Sequence, residues 1–172
     1  MNTPELSISI VVVDTPEGMK HYVTVTPPGR SPEAGVIAEA IVGALLRPAD
    51  QLNVVTPDNF ARNSVFVDFL HGVIAEHGPS VPGLAAEAKR KVEGWVYIID
   101  GRAPTPQDSV SPEDIIGAFQ VKGGEVVPGS YQRNGKHAVL SGNGFFRLDP
   151  VLRQQLYSAL SERAKQIAGA HA

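Results

Sequence analysis

The sequence predicts an α+β fold: an antiparallel or mixed sheet of about five to seven strands, with three or four helices packed mainly on one face. Three observations predict it. Short β-branched segments come in consecutive pairs split by Gly and Pro, as hairpins do. Longer segments between them repeat apolar residues at helical spacing. The order is hairpin, helices, sheet, helix, which is not the alternating series of a doubly wound parallel fold.

Leu6 to Asp14 (LSISIVVVD) is β-branched and opens by alternating, with Leu6, Ile8, Ile10 and Val12 on one face. Thr15-Pro16-Glu17-Gly18 is a turn, and Met19 to Thr26 alternates again, so the first element is an antiparallel hairpin. Ser31-Pro32-Glu33 has the residues that open a helix, and apolar positions at helical spacing carry it to about Leu46, before Pro48. Leu52 to Val55 is a short strand or a loop. Asn63 caps a helix to about Glu76, whose stripe is Val65, Phe66, Phe69, Leu70, Val73 and Ile74. A weaker helix spans Pro82 to Val92, with Lys89-Arg90-Lys91 in its last turn, where cations favour the helix dipole.

Trp95 to Asp100 (WVYIID) is the clearest core strand, a continuous apolar run. Ile115 to Lys122 reads as a strand returning through Gly123-Gly124 into Glu125-Val126-Val127. Pro128 to Lys136 is a polar loop. His137–Leu140 and Phe145–Leu148 form a further hairpin around Ser141-Gly142-Asn143-Gly144. Asp149-Pro150 opens a last helix with Leu152, Leu156, Leu160, Ala164 and Ile167 on its buried face. The expected organisation is one domain over 1–172: hairpin plus helix 6–46, helical segment 63–92, sheet-rich segment 95–148 and C-terminal helix 149–168.

Composition narrows the classes of function. With 172 residues, 42% apolar and 19% charged, the chain has enough apolar surface for a core without staples. It has no cysteine, which removes disulfides, thiol catalysis and cysteine-ligated metals. The opening Met-Asn-Thr-Pro-Glu has neither the basic nor the apolar region of a secretion signal, and no apolar run approaches a bilayer's thickness. The expected location is therefore cytoplasmic, with no membrane partner. Residues 1–119 hold 8 Lys/Arg against 15 Asp/Glu, and residues 120–172 hold 7 against 3. An acidic whole argues against nucleic acid, while the basic last third can meet an acidic partner or another copy.

Catalytic and cofactor fingerprints are missing. Gly142-Asn143-Gly144 lies between strands and reads as a turn, not a phosphate loop. No GxSxG is present, and no cofactor is expected. Asp68 and His71, three apart on one helix, are the metal candidates; a helix-stabilising surface pair is the favoured account of them. The polar stretch from 100 to 137 is where a ligand site is sought. Asp100 and Arg102 leave the strongest strand, and Tyr131, Arg133, Lys136 and His137 crowd one loop. Arg102 and Arg133 can bind a carboxylate or phosphate bidentately, Lys136 adds a point charge, and Tyr131 can stack on a planar group. The plain alternative pairs Arg102 with Asp100 or Asp108. An acid–base pair of Asp100 and His137 requires that they meet.

The favoured function is a small non-catalytic binding or interaction module, an accessory, adaptor or immunity-like protein that meets another protein through a sheet edge or a charged loop. Self-association fits it equally. The alternative is a small enzyme or ligand-binding domain acting on an anionic metabolite through the 100–137 loops.

Overall fold

The computed structural model describes residues 6–28, 36–103 and 110–170. It is an α+β protein with antiparallel sheets. Ten strands lie in three sheets with three α-helices among the described residues, more strands than the sequence predicts. The chain forms two compact units, one from Leu6–Leu70 with the helical residues from Gln154 onward, the other from His71–Arg153.

The first unit holds a four-stranded sheet in the order β1-β2-β3-β4, from β1 (Ile8–Thr15), β2 (Gly18–Val25), β3 (Ile41–Leu45) and β4 (Phe60–Arg62). The expected hairpin is β1–β2, in register from Ile8 opposite Val25 to Thr15 opposite Gly18. The helix expected to reach Leu46 is corrected. Ala38–Ala40 is a single 3₁₀ turn and Ile41–Leu45 is a strand, while its opening Ser31-Pro32-Glu33 lies outside the described residues. The cause is pairing. A short apolar run looks the same in sequence as a buried helix, and ladders to β2 and β4 settle it as a strand. Leu52–Val54 is a 3₁₀ turn, and β4 was not expected.

Asn63 closes this sheet against the next helix. Its Nδ2 donates to the carbonyls of Ala38 (3.0 Å) and Ile41 (2.9 Å), and its Oδ1 accepts the Val65 amide at 3.2 Å. So the predicted cap of α1 (Ser64–His77) also fixes the entry to β3.

The second unit holds α2 (Pro82–Lys91), β5 (Gly94–Ile99), β6 (Ile115–Lys122), β7 (Glu125–Val126) and β8 (Gln132–Arg133), with a two-stranded ladder of β9 (Leu140–Ser141) and β10 (Gly144–Phe145). β6 is central: it pairs with β5 on one side and with β7 and β8 on the other. Gly123 and Gly124 both have positive φ, +58° and +76°, as the tight β6–β7 turn requires. The last helix, α3 (Pro150–Ala170), begins where Asp149 Oδ1 accepts the Val151 amide at 2.8 Å.

β5 corrects a second expectation. Expected as a core strand with a continuous apolar run, it stands at the edge of its sheet among the described residues and buries one face only. Val96 and Ile98 are buried, but Trp95 is 37% exposed and Tyr97 54% exposed on the other face. Aromatic residues on an open face extended the apolar run.

Candidate functional site

Three of the six predicted site residues converge, and they converge inside the protein. Asp100 directly follows β5, Arg102 comes two residues on, and His137 precedes β9. His137 Nε2 donates to Asp100 Oδ2 at 2.9 Å, so the acid–base pair does meet. The other oxygen of Asp100 accepts the amides of Arg102 (3.1 Å) and Arg147 (2.8 Å). Asp114, which the sequence analysis passed over, completes the group: its Oδ1 accepts Arg102 Nε at 2.8 Å and its Oδ2 accepts Asn143 Nδ2 at 3.3 Å. Arg102 therefore pairs chiefly with Asp114, with Asp100 Oδ2 farther away at 3.6 Å. Asp108 lies outside the described residues.

The Arg102 guanidinium is saturated. Besides Asp114, it donates from Nη1 to the carbonyls of Gly144 (2.8 Å) and Val139 (3.3 Å), and from Nη2 to those of Glu113 (3.0 Å) and Ala138. Those are all five N–H donors an arginine has. Its side chain is 1% exposed. The cluster thus ties the end of β5, the start of β6 and the β9–β10 ladder together, and it offers an incoming anion no spare donor from Arg102.

The other predicted residues part company. Tyr131 turns inward: its hydroxyl and His71 Nδ1 are hydrogen-bonded at 2.6 Å, and its ring lies 5.0 Å from that of Phe119. Burial pushes the Tyr131 phenol well above its ordinary pKa, against a small opposing pull from Arg133. Gly117 makes room for it, since a Cβ there would come within 2.5–2.7 Å of the Tyr131 ring and hydroxyl. Arg133 and Lys136 are exposed. On α1, His71 is buried while Asp68 is exposed. No group of three or more His, Asp or Glu side chains poised for a metal occurs among the described residues.

A different surface has the features of a binding site: the outer edge of β5. On β6, the Gln120 amide donates to Ser130 Oγ (2.9 Å), its carbonyl accepts Val127 N (2.8 Å), and the Ile116 carbonyl accepts Asn134 N (3.0 Å). These even-numbered residues point away from β5, so Gly117, Phe119 and Val121 point toward it. Their partners are Ile98, Val96 and Gly94. By alternation, Trp95 and Tyr97 aim their N–H and C=O groups outward, where no strand pairs with them among the described residues. Beside this edge, Val81, Leu84, Ile98 and Leu152 line a cleft of about 240 Å³ between β5, α2 and the start of α3. Glu87 and Asp149 also line it, and Arg90 pairs with Glu87.

The sequence signal for this edge was available in the exposed half of an alternating strand, Trp95 and Tyr97, but the unbroken apolar run concealed it. No family model, curated protein or solved structure matches the chain. Among the described residues no helix is long and apolar enough to cross a membrane.

Proposed function

We propose that the chain is a small non-catalytic protein-interaction module that takes up an extended polypeptide segment by strand addition at the open edge of β5. One observation carries this reading. Trp95 and Tyr97 present backbone groups that no strand pairs with among the described residues, and exposed aromatic rings, on the same strand. Strand addition draws affinity from main-chain hydrogen bonds and specificity from pockets for alternate side chains, and the apolar cleft beside Ile98 is such a pocket.

Within the strand itself, the edge has little of the usual protection. Natural edge strands carry lysine, proline or an inward-pointing charge that discourages pairing. No charged residue or proline occurs from Gly94 to Ile99. The β1 edge differs: α3 reaches its approach, where the Ser7 amide donates to the Tyr157 hydroxyl at 3.0 Å, and Asp14 stands near its end. The cysteine-free sequence suits a reducing, cytoplasmic setting. The anionic-metabolite reading is weaker because Arg102 is committed within the protein, and the exposed cations of that region among the described residues are Lys122, Arg133 and Lys136.

Trp95 is the one tryptophan of the chain, so its fluorescence reports on this edge alone. Titration with a synthetic peptide of alternating Thr and Val, capped by lysines for solubility, is expected to shift Trp95 emission to the blue. Tyr97→Pro, which removes an outward N–H and no ladder bond, is expected to abolish the shift. An unchanged emission across a panel of extended peptides and the full chain itself would overturn the reading.

A further inference from the structure

We infer that the segment received at this edge is β5 of a second copy, the two strands pairing antiparallel about a two-fold axis at Val96. The inference rests on the proposed strand addition and names its occupant. Its basis is the symmetry of the edge. The outward-directed residues, Trp95 and Tyr97, flank Val96 on either side. An antiparallel copy centred on Val96 sets Trp95 opposite Tyr97 of the second copy, and Tyr97 opposite its Trp95. Both of these are hydrogen-bonded pairs, because all four residues aim their N–H and C=O groups at the seam. Centring the axis on Tyr97 brings in Ile99, where the register with β6 shifts between Ile98 and Ile99 and the alternation breaks, and centring it on Trp95 brings in Glu93, which lies before the strand and the positive-φ Gly94 (+115°).

The side chains agree with the backbone. Trp95 and Tyr97 point to the same, open face, so each pairing makes a cross-strand aromatic contact between rings that are now partly in water. The remaining opposed pairs, Gly94 with Ile98 and Val96 with Val96, contain no charge, and the Lys91 ammonium stands 5.8 Å from the centre of the Tyr97 ring, where an aromatic face attracts a cation. A heterologous strand would need its own match to this neutral, aromatic edge, whereas a second copy has it by construction. The join would unite two four-stranded sheets into one of eight. An isologous contact of this kind closes on itself and stops at the dimer. Six-residue strands bury less than a standard interface, so the association is expected in the micromolar range.

The test is sedimentation equilibrium of the full chain across a concentration series, with Trp95 emission read on the same samples. The expected result is a reversible doubling of mass accompanied by a blue shift. Tyr97→Pro and Tyr97→Lys should each raise the dissociation constant at least tenfold while the far-ultraviolet circular dichroism stays unchanged. Two variants are used because proline alters the backbone and lysine only the side chain. A dimer that persists in both variants, with Trp95 emission indifferent to concentration, would place the contact elsewhere and overturn the inference. A wild-type chain that stays monomeric also overturns it. In that case the Thr–Val peptide separates the two ideas: a blue shift keeps strand addition with a different partner, and no shift removes both.

Discussion

Arg102 illustrates how a residue that looks like a ligand-binding group can be consumed by the fold. A guanidinium reads the same in sequence whether its five donors face solvent or five protein oxygens, and here they face one carboxylate and four carbonyls. Removing one partner of a buried ion pair leaves the other charge uncompensated, at a cost of about 3–5 kcal/mol. Arg102→Ala is therefore expected to lose stability of that order in urea unfolding. Arg102→Lys should recover little, because an ammonium has three donors and no planar fork to reach four carbonyls and Asp114 together. Lys136→Ala, at an exposed site, should stay within about 0.5 kcal/mol of the parent. Equal losses at Arg102 and Lys136 would refute this division of roles. Tyr131 gives a matching result in pH. Its phenol is held above the ordinary value near 10 by burial, so the folded chain keeps a proton that the unfolded chain releases. The contribution is full below about pH 10 and declines as pH climbs past it. Urea midpoints measured from about pH 9 to about pH 11 should fall, and more steeply in the parent than in Tyr131→Phe.

At the scale of the element, β3 decides between two readings of the same residues. Gly43 lies in it, and a Cβ there would sit 2.5 Å from the Ala61 carbonyl oxygen and strike the Phe60 ring. Gly43→Ala should therefore destabilise the protein by about 1–3 kcal/mol, as overpacking does. In the helix that the sequence predicts, the same change would stabilise by about 1 kcal/mol, so the sign of the shift in thermal midpoint separates strand from helix. Elements with a local signature were legible: the β1–β2 hairpin from its alternation, α1 from Asn63 and its stripe, the β6–β7 turn from its paired glycines, and α3 from Asp149-Pro150. Those fixed by their neighbours were not. β3 is a strand because β2 and β4 flank it, and β8 is one because β6 offers Gly117 and Ala118 to Arg133 and Gln132. The candidate site divides in the same way. That Asp100 and His137 meet depends on where the β9–β10 ladder returns, and Asp114 was hidden in a Ser-Pro-Glu-Asp turn that resembles a helix start.

Taken as a whole molecule, the chain has two features that could attract a partner, and they respond differently to salt. The first is charge: the net −3 conceals an acidic stretch to residue 119 and a basic one after it. Contact between such patches is screened over about 8 Å at physiological ionic strength and about 3 Å in molar salt, so affinity built on it falls steeply as salt rises. The second is the β5 edge, with no charge from Gly94 to Ile99, where affinity comes from backbone hydrogen bonds and aromatic burial. Salt screens neither, and strongly excluded salts such as sulfate reinforce apolar burial. The edge therefore predicts a dissociation constant, followed by Trp95 emission, that changes less than about twofold between dilute and molar sodium chloride and tightens in sulfate. A constant that weakens tenfold or more over that range would assign recognition to the charged loops around Arg133 and Lys136, and leave Trp95 and Tyr97 as bystanders on an exposed strand.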